Sequence, residues 1–180
     1  ARIFSVWTAS ELAAIGIIEV TFDDSKKKDE KYYINTNQTY TYDADAGTVT
    51  AAYGNATPKA HADTLFTAQD ETDGKGTEGE VATRGLKYNF IKTIKAQAAG
   101  ILQDTDWYIL RKADADTDVP SAITTFRAAV RTKAAAMETL ITNASNTAAI
   151  ETLYTYVNTA DEGDPVVMER PLGEFPELGS

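Results

Sequence analysis

Asp114, Asp116 and Asp118 stand at alternate positions, the spacing at which a calcium loop places its first carboxylate ligands. Such a loop also needs glycine at its sixth position and a bidentate glutamate at its twelfth. This chain has Val119 and Thr125 there, so a solvated acidic turn is expected. Asp43 and Asp45 share the spacing and fit a hairpin turn. His61 is the single histidine, and the absence of cysteine excludes thiolate ligands, disulfides and cysteine nucleophiles together. Carboxylates around one imidazole are a poor donor set for zinc. No G-x-S-x-G elbow presents a serine to that histidine. Gly74-Lys75-Gly76-Thr77 lacks the first glycine, the preceding strand and the helix start of a phosphate loop. The expectation is no cofactor, no metal site and no enzyme.

Trp107 and Tyr108 are the more informative pair. A tryptophan just past a helix end commonly closes the gap between two helices. Arg127 and Arg131 lie four apart on one face of the next helix, placed to stack on that indole. Trp107, Tyr108, Phe126, Arg127 and Arg131 are therefore expected to pack and shape a helical pair.

The elements that hold these residues follow from periodicity. Leu86, Phe90, Ile94, Ala98 and Ile101 recur at helical spacing from Val81 onward, and Gly100 with the polar run Gln103–Asp106 ends the stripe. Pro120 opens a second helix with Ile123, Phe126, Val130, Ala134, Met137, Leu140 and Ile141 on one side. A third, from about Thr147 to Asn158, shows Ile150, Leu153, Tyr154 and Val157. Short connections predict an antiparallel three-helix bundle over 81–160.

Upstream, Thr8-Ala9-Ser10-Glu11 has capping-box spacing, and Gly16 is suited to end the short helix that follows. Strands are predicted at 17–22, 31–35, 38–42 and 48–53, giving a small antiparallel, tyrosine-rich β module over 1–53. Residues 54–80, rich in Gly, Thr and Asp, are expected to form an extended linker with one short docking segment. The Pro- and Gly-punctuated end, 161–180, is expected to be an extended arm anchored by Phe175 and Leu178 along a surface, a partner subunit's or its own chain's. The fold class is α+β.

Net charge is -10 over 180 residues, and the pI is near 4.5 with a mean hydropathy of -0.32. An acidic surface repels phosphate backbones, so nucleic acid is not an expected partner. No apolar run reaches the roughly 18 residues of a membrane span. Ala1–Trp7 lacks the apolar stretch of a signal peptide, and a start at Ala1 fits removal of an initiator Met from a soluble intracellular product.

Ile101-Leu102, Thr105-Asp106-Trp107, Leu110, Ala113-Asp114, Pro120 and Phe126-Arg127-Ala128-Ala129-Val130-Arg131 together resemble a helical segment of tailed-bacteriophage tail assembly chaperones and tail-fibre assembly proteins. The opening from Thr8 to Phe22 is similar to the openings of such phage proteins. The loop 111–119 is longer and more acidic than the family's form, and the third helix and the arm lie outside the motif. The resemblance implies a non-enzymatic virion component, made in the host cytoplasm. It would contact other tail or fibre proteins, as a homo-oligomer or within a larger assembly. An assembly chaperone not retained in the virion is the alternative. A carbohydrate-binding module built on Tyr40 and Tyr42, or a divalent-cation-binding or carboxylate-hydrolase domain built on the acidic loops, are rivals of other classes.

Overall fold

The computed structural model describes residues 6–179 of an α+β chain; the first five residues of the opening segment and Ser180 of the arm lie outside the described residues. The chain divides into two compact units, 1–59 and 60–180. The division falls inside the stretch expected to be linker.

In the first unit, α1 (Ala9–Ala13) starts on the expected capping box. The Glu11 amide donates to Thr8 Oγ1 at 3.3 Å, and Glu11 Oε2 accepts from the Thr8 amide at 2.9 Å. Gly16, at φ +80°, ends the turn that follows. The strands are β1 (Val20–Asp23), β2 (Tyr33–Ile34), β3 (Gln38–Asp43), β4 (Thr48–Tyr53) and β5 (Thr57–Pro58). β3 and β4 form the expected hairpin, its turn held by Asp43 Oδ1, which accepts from the amides of Asp45 and Ala46.

β1 corrects the expectation of a purely antiparallel module. It pairs parallel to β4, in the sheet order β1-β4-β3. Residues 24–37 carry the chain past the neighbouring position, and the hairpin returns β4 into the gap. Side-chain alternation is the same in parallel and antiparallel strands, so the sequence pattern did not encode this direction.

In the second unit, β6 (Thr64–Leu65) pairs antiparallel with β7 (Val81–Thr83), and between them lies α2 (Ala68–Thr72). The helix expected from Val81 therefore begins later, as α3 (Leu86–Gln103). Gly85, at its N-cap, has no side chain to satisfy the first amides. A distant segment supplies the acceptors: Asp63 Oδ1 takes the Gly85 amide at 2.8 Å, and the carbonyls of Ala60 and His61 take those of Leu86 and Lys87. Leu86, Phe90, Ile94 and Ala98 form its buried stripe.

Asp106 to Ala115 is a helix, α4, where a turn and loop were expected. α5 (Ser121–Asn143) begins at Pro120 and buries Ile123, Phe126, Val130, Ala134, Met137 and Ile141; Leu140 stays exposed. It runs antiparallel to α3, because Lys87 Nζ donates to the Thr142 carbonyl at one end while Arg127 reaches the Leu102 carbonyl at the other. α6 (Thr147–Tyr154) is capped by Asn146 and buries Ile150 completely. It stops short of the expected end, and Val157–Asn158 forms β8, paired with β9 (Met168–Glu169). The terminal segment is thus held by its own chain: Leu172 is fully buried, and its amide donates to the Leu153 carbonyl at 3.0 Å. Of the surfaces open to the arm, its own chain is the one that Leu172 uses.

Candidate functional site

The residues first weighed for chemistry have structural roles. Lys112 Nζ lies 2.8 Å from both Asp116 Oδ1 and Asp118 Oδ1, so two of the three alternate carboxylates grip a lysine. Lys112 holds the Asp118 carboxyl below its ordinary pKa by hydrogen bond and charge. His61 contributes its backbone carbonyl to α3. Lys75 is held by Asp73 at 2.9 Å and Asp70 at 3.1 Å, and Gly76 lies against the Phe66 ring. Among the described residues, no group of three or more His, Cys, Asp or Glu side chains is placed to hold a metal ion.

The Thr105-Asp106-Trp107 junction is built differently from expectation. Trp107 does not wedge between helices: it sits on α4, about half exposed. Its ring meets Tyr108, with centroids 3.9 Å apart, and the guanidinium stacked on it belongs to Arg111 at 4.8 Å. Arg111 lies one helical turn after Trp107 on α4, which is why it, and neither Arg127 nor Arg131, reaches the indole. Arg131 turns back toward the Arg127 carbonyl, at 3.5 Å.

Arg127 performs the closure assigned to the tryptophan. It is 7% exposed, and its Nη1 reaches the Thr105 hydroxyl at 2.6 Å, the Leu102 carbonyl at 2.9 Å and Asp106 Oδ1 at 2.8 Å. One cation thereby ties the Leu102 carbonyl near the end of α3 to Asp106 in the first turn of α4. Its Nε is buried without an acceptor among the described residues.

Beside this junction lies an open cleft of about 760 Å³ between α3, α5 and the terminal segment. Ile101, Phe126, Phe175 and Leu178 line it, so three expected interaction residues and the end of the α3 stripe come together. Its rim carries Asp104, Glu174 and Glu177 against a single cation, Arg170. That cation is occupied. Its Nε and Nη2 lie 2.7 Å from the two carboxylate oxygens of Glu174, and its guanidinium faces the Tyr154 and Tyr156 rings. Tyr156 Oη donates to Glu174 Oε1, and that bond, with burial, pushes the phenol's pKa up. Burial pushes the Glu174 carboxyl up, but the Tyr156 hydrogen bond and Arg170 outweigh it, and the carboxyl titrates below its ordinary value.

Sequence reasoning missed Arg111, Arg170, Glu174 and Tyr156. The four-residue spacings of Trp107 with Arg111 and of Arg170 with Glu174 were available signals; Tyr156 had none. No family model, curated protein or solved structure matches the chain.

Proposed function

We propose that this chain is a non-enzymatic, tail-associated structural protein of a tailed bacteriophage, resident in the virion and acting through contacts with other tail or fibre proteins. One observation carries this reading beyond the motif resemblance. α4 buries none of its own residues, yet it presents Trp107, Ile109 and Leu110 to solvent. A ten-residue helix is marginal alone in water, and Trp, Tyr and Arg are the residue types that dominate binding hot spots. Trp107 and Leu110, three apart, are neighbours on the helix surface, and a partner that covers them would stabilise it.

On this reading α3, α5 and α6 serve as a three-helix bundle that displays α4, and residues 161–180 serve as an arm whose outer end, at Phe175 and Leu178, completes the neighbouring cleft. The acidic rim of that cleft suits a tail partner with basic residues round an apolar contact. No helix among the described residues is long and apolar enough to cross a membrane.

Mass spectrometry of purified virions tests the proposal. Recovery at stoichiometric copy number supports a virion component, and Leu110→Glu should abolish incorporation while the chain stays folded. Presence in infected cells but absence from mature particles would transfer the reading to an assembly chaperone. Incorporation unaffected by Leu110→Glu would remove α4 as the contact.

A further inference from the structure

Gly100 lies within α3, yet nothing in the helix requires a glycine there. Its backbone is outside the left-handed region, and a Cβ built on it would meet nothing within 4 Å. Glycine is the poorest helix former after proline, so a glycine that neither backbone nor packing demands points to a need for space beside it. That space is the cleft of about 760 Å³, which Gly100 helps to line.

Gly100 and Ile101 stand three and four residues after Gln97, and Asp104 follows them at the same steps. The four therefore form one strip of α3, all of it facing the cleft. The terminal segment supplies a second wall through Glu174, Phe175, Glu177 and Leu178. Ile101, Phe126, Phe175 and Leu178 make the lining apolar, while carboxylates stand on both walls. Three of them share the cleft with one guanidinium, that of Arg170, which is paired with Glu174 through two nitrogens. The rim is left net negative.

On the reading that the chain works through contacts with tail proteins, we propose that this cleft binds a segment of such a protein in which apolar side chains stand between basic residues. The segment's backbone lies against Gly100. The apolar lining takes the central side chains, and the carboxylates of the two walls pair with lysine or arginine on either side of them. The missing side chain at position 100 lets another main chain approach α3, the use to which glycine is put wherever backbones come close. An acidic segment would meet like charge on both walls, which selects against it. A second copy of this chain, at -10, is disfavoured for the same reason.

Fluorescence anisotropy of the full chain with two labelled octapeptides tests this. One carries leucine and phenylalanine between lysines; the other has glutamates in place of the lysines. The lysine peptide should bind, and the glutamate peptide about tenfold more weakly or less. A chain of charge -10 attracts basic peptides over its whole surface, so the deciding variants leave charge unchanged. Gly100→Ala should weaken binding, and Gly100→Leu should weaken it by about tenfold or more as the side chain fills the cleft. Both replace glycine with a better helix former, so neither should lower the thermal unfolding midpoint. Lost binding at an undiminished midpoint excludes unfolding as the cause. Asp104→Asn should weaken binding by roughly threefold. No binding of the lysine peptide at millimolar concentration, equal binding of the two peptides, or binding unchanged by Gly100→Leu would each overturn the proposal. Leu110→Glu should leave peptide binding intact. Absence of the chain from virions with the lysine peptide still bound would count against the virion reading alone, whereas an unbound peptide with incorporation intact would sink the cleft alone.

Discussion

Arg127 Nη1 meets Thr105 Oγ1 at 2.6 Å across the gap between α3 and α5, both residues almost fully enclosed. This contact, and not an indole, closes the helical junction. Arg127→Met keeps most of the side-chain volume and removes every hydrogen bond. It should leave the Thr105 hydroxyl and the end of α3 less well satisfied and cost about 1–3 kcal/mol. The cost stays below that of a fully buried ion pair because Asp106 remains half exposed to water. Urea unfolding followed by circular dichroism checks it, and an unchanged midpoint would remove Arg127 as the closure.

Trp107 should behave in the opposite way. A half-exposed side chain stacked on Tyr108 and Arg111 leaves little cavity behind. Trp107→Ala should shift unfolding by no more than about 1 kcal/mol, against the roughly 3–5 expected for a core tryptophan. On the proposed function, its effect should fall on assembly. Virion incorporation and thermal stability, measured on the same variant, separate the two roles.

The contrast between these residues shows what the sequence encodes. Stripes at helical spacing were legible because their burial recurs every turn: Leu86 to Ala98 and Ile123 to Ile141 fill the core as their pattern requires. Caps were legible where one side chain serves a local amide, as at Thr8, and Pro120 marked the start of α5. α4 was not legible, because its apolar residues adjoin one another and face water, leaving no periodic stripe. The N-terminal amides of α3 are served by Ala60, His61 and Asp63, a long-range arrangement that a glycine at the cap conceals. The cleft depends on Phe175 and Leu178 folding back past α3, and nothing in the spacing of a proline-punctuated segment fixes that path.

Two glycines should respond with opposite signs to the same substitution. A Cβ at Gly85 would collide with the backbone of Ala62, which cannot yield without breaking the caps of α3. Gly100 lies within α3, and a Cβ there meets nothing within 4 Å. Gly85→Ala should destabilise by about 1–3 kcal/mol, whereas Gly100→Ala should stabilise by about 0.5–1 kcal/mol through helix propensity and a less flexible unfolded chain. Parallel urea titrations decide both.

Leu172 tests whether the terminal segment is held by its own chain. It is fully buried and its amide is fixed to α6. Leu172→Ala should cost about 2–5 kcal/mol and release the segment to proteolysis after Glu174. If a glutamate-specific protease cuts wild type and variant there at equal rates in the absence of any partner, the docking is wrong.

Acid should open the cap of α2 only at low pH. Asp70 Oδ2 accepts from the amide of Thr67 at 3.0 Å and from its hydroxyl at 2.7 Å, while Oδ1 faces Lys75. The backbone hydrogen bond, followed by the hydroxyl and the lysine, holds the carboxyl at about 2, below its ordinary 3.8. A carboxyl whose pKa is depressed by folding binds fewer protons folded than unfolded, so its contribution is complete above the unfolded value and falls away as pH drops through the folded one. The Thr67 cap should therefore hold at pH 5 and open between about pH 4 and pH 2. Carboxyl-detected NMR should place the Asp70 midpoint near the lower limit, with faster amide exchange at Thr67 over the same range. Asp70→Asn should abolish that pH dependence, and a midpoint at the ordinary carboxylate value would show that the cap does not form.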